Sequence, residues 1–167
     1  MSIFRPYFVD TGAIAVPTAG SATPILYIAP TATNDLDIAR IRISCESASG
    51  GSAAPPTNGS LLFSLNKVTG TKAGGAAATP NPTGPSALAA NTVFSSGSTA
   101  ITGLTLSTEY WCLPIAFATG AFAEDAFENG GFERNIPASG TYAIFVLPQA
   151  ASAGTSCTVR CTLDFSE

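Results

Sequence analysis

The sequence predicts an all-β protein, an antiparallel β-sandwich of jelly-roll type, and three observations predict it. Two segments alternate apolar and polar residues with period two, the repeat of a strand with one face buried. Clusters of Gly, Pro, Ser and Asn separate the apolar runs, and no stretch carries a convincing helical period. A chain of 167 residues has the length of one domain and can bury a core without metals or disulfides. The expectation is therefore a single sandwich domain over residues 1–167, with a closed barrel as the second choice.

The two alternating segments anchor this reading. Residues 39–46 put Ala39, Ile41, Ile43 and Cys45 on one face and Arg40, Arg42, Ser44 and Glu46 on the other. Residues 156–165 repeat the pattern, with Cys157, Val159, Cys161, Leu163 and Phe165 inward and Ser156, Thr158, Arg160, Thr162 and Asp164 outward. Weaker strands are expected over residues 24–29, 60–68, 99–107 and 109–118. Pro114 in the last marks an edge strand or a bulge, because proline cannot donate to a ladder. Residues 141–147 (TYAIFVL) are apolar on both faces, which places them mid-sandwich or against a neighbouring subunit. The best helical candidate, residues 121–128, amounts to two short turns.

Between the strands, residues 47–60 and 70–90 read as loops of small residues, Gly and Pro. A connection as long as 70–90 usually means function, contact with a partner, or disorder. Residues 1–17 read as an extended N-terminal arm.

Composition narrows the function. The chain has no histidine, 11% charged and 46% hydrophobic residues, so it cannot coat its whole surface with charge. Part of that surface is expected to lie against other protein. A net charge of −4, a pI near 4.6 and scattered Lys and Arg argue against nucleic-acid and membrane-surface binding. The mean hydropathy of +0.30 does not reflect a spanning helix, since the longest apolar stretch, residues 111–123, is interrupted by Pro114, Thr119 and Gly120. Arg5 and Pro6 interrupt the segment where an export signal would be apolar, so synthesis in the cytoplasm without export is expected.

The chemistry-bearing residues offer little catalysis. Without histidine, the Ser-His-Asp and Cys-His arrangements are unavailable. The acidic group Glu124, Asp125, Glu128 and Glu133 would suit a glycosidase pair or a calcium site. A solvated loop, or a partner for arginine, is the plainer reading of it. No cofactor and no metal are expected, and the chain is not expected to be an enzyme. The four cysteines, Cys45, Cys112, Cys157 and Cys161, all fall in apolar runs and read as free buried thiols. Cys157 and Cys161 are too far apart on one strand to bridge. The aromatic residues Phe4, Tyr7, Phe8, Phe122, Phe127 and Phe132, with Arg40 and Arg42, are the interface candidates, because aromatic and Arg side chains are enriched in interface cores.

The run Leu36-Asp37-Ile38-Ala39-Arg40-Ile41-Arg42-Ile43-Ser44 is followed, after a small-residue loop, by Leu61-Leu62-Phe63-Ser64-Leu65-Asn66-Lys67-Val68-Thr69-Gly70. Then comes Gly74-Gly75-Ala76-Ala77-Ala78-Thr79-Pro80-Asn81-Pro82. In these segments, across residues 36–94, the chain resembles a family of small virion proteins of tailed bacteriophages. The resemblance implies a structural part of the particle, with a head decoration (cement) protein fitting the size. Its partners would be the major capsid protein and neighbouring copies of itself, as a homo-oligomer such as a trimer, located in the virion and made in the host cytoplasm. The alternative function is a carbohydrate- or receptor-binding module of a fibre or tail, for which an exposed platform of Tyr110, Trp111 or the loop phenylalanines is the discriminator.

Overall fold

The computed structural model describes residues 6–16, 21–47, 60–83, 90–116, 122–126, 134–149 and 157–167. Every regular element among them is a strand: β1 (Pro6–Asp10), β2 (Ile14–Ala15), β3 (Thr23–Ala29), β4 (Leu36–Ser47), β5 (Ser60–Thr69), β6 (Ala73–Ala78), β7 (Asn81–Pro82), β8 (Val93–Thr102), β9 (Thr105–Ala116), β10 (Phe122–Ala126), β11 (Arg134–Ile136), β12 (Tyr142–Pro148) and β13 (Cys157–Ser166). They form two antiparallel sheets. The first runs β10-β4-β13-β1-β7, with β11 also pairing β4 and β2 also pairing β13. The second runs β6-β8-β3-β12-β5-β9.

The inward residues of both sheets meet in one core. From the first sheet come Tyr7, Val9, Leu36, Ile38, Ile41, Ile43, Val159, Cys161, Leu163 and Phe165. From the second come Ile25, Leu26, Ile28, Phe63, Leu65, Phe94, Trp111, Tyr142, Ile144 and Val146. The result is a β-sandwich, whose apolar burial stabilises it by roughly 25 cal/mol per Å² removed from water. The alternation read in residues 156–165 holds through Val159, Cys161, Leu163 and Phe165. In β4 it slips by one residue: Leu36 and Ile38 face inward, then Ile41, Ile43 and Cys45, so Ala39 is only half-buried. The cause is a register shift opposite Asp164 and Phe165, where a bulge lets two successive residues share one side.

Several expectations are corrected. The described part of the N-terminal arm is not free: β1 lies between β13 and β7, and Tyr7 is 3% exposed in the core with its ring 5.5 Å from that of Phe165. The 70–90 connection is not a plain loop, since it contributes β6 and β7. Alanine and glycine lack bulk for packing but pair through the backbone like any other residue. The 121–128 helix gives way to β10, because Ala123 and Asp125 face in while Phe122, Glu124 and Ala126 face out, and β4 supplies the ladder. The break expected near Thr108 falls instead at Gly103, where the backbone turns with φ +78°. Cys112 is exposed, whereas Cys45 and Cys161 are buried, all three as free thiols. As Pro114 implied, β9 is an edge strand.

The two-faced apolar strand is β12, and its second face is covered by its own chain. Ala143 and Phe145, on the side away from the main core, pack with Val68, Ala22, Tyr27 and Leu104. Thus β12 needs no neighbouring subunit to bury it.

Candidate functional site

The ladder registers place the candidate arginines in a grid on the outer face of the first sheet. Reading across the strands, one row is Asp10, Thr162, Arg42 and Glu124, and the next is Phe8, Asp164, Arg40 and Ala126. A third row holds Arg160, Ser44 and Phe122. Side chains two residues apart on one strand share a face, which is why Arg40 and Arg42 stand together.

Asp164 sits between these two arginines and takes both. Arg42 Nη2 donates to its Oδ1 at 2.8 Å, and Arg40 Nε lies 3.1 Å from its Oδ2. Glu124 Oε1 is 3.5 Å from Arg40 Nη1. On the far side, Arg160 Nε is 3.9 Å from Asp10 Oδ1, while Thr162 Oγ1 donates to Asp10 Oδ2 at 3.0 Å. Three arginines thus face three carboxylates, and the grid is neutral. Both arginine side chains are about a third exposed, so water screens these pairs and each contributes on the order of 0–1 kcal/mol.

The two described members of the acidic group do not act as a unit. Glu124 and Asp125 are adjacent on β10 and point to opposite faces, Glu124 to Arg40 and Asp125 inward. Asp125 Oδ2 accepts the indole N–H of Trp111 at 2.7 Å, tying β10 in one sheet to β9 in the other. The two carboxylates therefore do not flank a common substrate position. Glu128 and Glu133 lie outside the described residues. Among the described residues, no three His, Cys, Asp or Glu side chains converge as metal ligands, and no helix is long and apolar enough to cross a membrane.

Of the interface candidates, Phe122 is 61% exposed on the edge strand β10, and Phe8 is half-buried beside Asp164. Arg40 and Arg42 occupy the grid, and Tyr7 belongs to the core. Phe4, Phe127 and Phe132 lie outside the described residues. Trp111 is 5% exposed on the same side of β9 as Ile115, so it forms no platform. Tyr110 is 39% exposed, its ring packed edge-on to Tyr142 at 5.4 Å. Burial, and then the Tyr110 hydroxyl beside it, push the Tyr142 phenol up to about 12.

Three polar links between the sheets escaped the sequence. Thr11 joins β1 to β13 and to β8: its Oγ1 accepts from Cys161 N at 3.0 Å, and its carbonyl accepts from Ser96 Oγ at 2.6 Å. Glu167 accepts from Asn91 N, from Thr92 N at 3.1 Å and from Thr92 Oγ1 at 2.7 Å. The third is the Trp111–Asp125 bond. The partners are 14 to 150 residues apart, so no local signal marks them. No family model, no curated protein and no solved structure matches this chain.

Proposed function

We propose that the chain is a structural virion protein with a jelly-roll body, a decoration (cement) protein that binds and stabilises a tailed-phage head. Strand order is the observation that carries the reading. Within the first sheet four strands run β1-β13-β4-β10, and within the second four run β3-β12-β5-β9. The chain changes sheet from β1 to β3, β3 to β4 and β4 to β5, then from β9 to β10, β10 to β12 and β12 to β13. This order supports reading the sandwich as an eight-stranded jelly roll, an architecture used by viral capsid and lectin domains. Among those uses, the charge-poor composition and the resemblance over residues 36–94 favour the shell. The protein would act by adhesion, with no catalytic residue, its partners being the major capsid protein and its own copies.

The test is immunogold labelling, with an antiserum to the chain, of purified particles from the strain that encodes it. Labelled heads are the expected result. Absence of the chain from the particles overturns the reading. Phe122, exposed beside Glu124 on the rim, favours one second reading, a carbohydrate- or receptor-binding module of a fibre or tail. Label confined to the tail tip, together with binding on a glycan array that Phe122→Ala abolishes, would select it.

A further inference from the structure

The eight strands of the jelly-roll order close a sandwich without β6, β7 and β8. These three come from one excursion of the chain between β5 and β9: β6 and β8 are the far half of a single two-stranded ribbon, while β7 pairs β1 in the first sheet. The ladder between β5 and β9 ends at Thr69 opposite Thr105, and the ladder between β6 and β8 starts at Ala73 opposite Thr102. Only residues 70–72 on one side and 103–104 on the other join the halves.

Yet the halves lie at opposite edges of the six-stranded sheet, with β12 and β3 between them. The ribbon therefore folds back across the outer face of those strands. Leu104 in the joint packs with Val68, Ala143, Phe145 and Tyr27, and Lys72 Nζ stands 5.6 Å from the centre of the Tyr27 ring. The two turns cross closely. Gly70 has φ +96°, and a Cβ there would collide with the Gly103 carbonyl oxygen.

The tip of this strap docks on a specific receptor. β8 adds to the edge of β3 through four residue pairs, from Leu26 opposite Ser96 to Ala29 opposite Val93. The Phe94 ring lies 5.0 Å from that of Phe165. Ser96 bonds to the Thr11 carbonyl, and Thr92 bonds to the Glu167 carboxylate. The receptor is thus an open strand edge with an aromatic face and two acceptors.

We infer that the strap is exchanged between copies, so that the strap of one chain docks on β3, Thr11, Phe165 and Glu167 of a second copy. The β8–β3 ladder, the Phe94–Phe165 contact and the bonds of Ser96 and Thr92 can all form between copies, and the pairing of β7 with β1 moves with them. Opening the joint gives up the packing of Leu104 and the Lys72–Tyr27 contact, and straightens a ladder whose two halves are already nearly in register. Glycine at the crossing takes extended and left-handed backbone with similar ease, so the joint has access to both states. Short, constrained hinges of this kind are the ones that favour exchange. The inference does not rest on the virion reading: an exchanged oligomer absent from any particle would keep it.

Cross-linking tests it. Ala29 and Val93 are partners across the β3–β8 ladder, and Val93 is 58% exposed. Ala29→Cys and Val93→Cys are introduced together with Cys112→Ser, which removes the exposed native thiol, and the chain is oxidised and run without reductant. Exchange predicts covalent dimers or larger species whose bond maps between residues 29 and 93. A bond found only within monomers overturns it. Light scattering of the unsubstituted chain gives an independent reading: a multiple of 16.8 kDa is expected, and a monomer at every concentration overturns the inference.

Discussion

Asp125 does work that its place in an acidic run conceals. Its carboxylate faces the interior and holds the indole of the chain's single tryptophan, Trp111. Asp125→Ala strands that N–H and should cost about 1–3 kcal/mol, the usual penalty for a buried donor left without its acceptor. Asp125→Asn keeps an acceptor and should recover most of the loss. Urea unfolding followed by Trp111 fluorescence measures both. The thiols divide in the same way, by the side of the strand they occupy. Exposed Cys112 should react with a thiol reagent in the native protein at neutral pH, while Cys45 and Cys161 should react only on unfolding. Burial pushes the Cys45 thiol from its ordinary 9.0 up to about 11, so the folded state holds the proton more tightly than the unfolded state. Stability from this group is then complete below pH 9 and falls as pH rises from 9 towards 11, the sign that linkage requires. Denaturation midpoints for the native chain and Cys45→Ala, compared across that window, should converge as pH rises.

Strands here are decided by their neighbours more than by their own letters. β6 is built only from Ala and Gly, residues of low strand propensity, and still forms a ladder with β8. β10 resembles a short helix in sequence, yet β4 holds it extended. The joint between the ribbon halves is the most sensitive point at this scale. Gly103 has φ +78°, and a Cβ there would collide with the Thr71 carbonyl oxygen. Gly103→Ala should therefore cost about 1–3 kcal/mol from the backbone conformation alone, with the collision adding to it. Thermal unfolding checks the prediction. Arg42 was readable as an outward-facing residue of its alternating segment, whereas Phe122 was readable only as an interface candidate. What the segments do not contain is the register that sets Asp164 between Arg40 and Arg42.

Across the molecule, strands from the two ends of the chain pair with each other: Tyr7 opposes Phe165 and Phe8 opposes Asp164. Folding must close that long loop before either strand is rewarded. Refolding of such a β topology should be slow, in the range of ~ms to seconds, when followed by Trp111 fluorescence in a stopped-flow instrument. A refolding time in microseconds would contradict the non-local topology. The same long-range organisation explains how a charge-poor chain covers itself. The second face of β12 is buried by the chain's own ribbon, and on the outer face of the first sheet Arg40, Arg42 and Arg160 are matched by Asp10, Asp164 and Glu124. Low charge is thus partly answered within one copy, and among the described residues the large hydrophobic side chains left exposed are Val93, Leu106, Tyr110 and Phe122.

The sequence by itself determined the class of fold, the inward positions of Val159, Cys161, Leu163 and Phe165 in β13 and most of those of β4, and narrowed β9 to an edge strand or a bulge. Each depends on period-two alternation or on proline's missing donor, which are properties of a few adjacent residues. Only the tertiary structure decided that β1 is a paired strand, that β6 and β7 close two sheet edges, and that Glu124 and Asp125 are split between faces. It alone set the partners of Thr11, Arg40, Arg42 and Glu167. Those outcomes depend on strand order and register, which arise from packing between segments far apart in the chain and leave no mark in any local window.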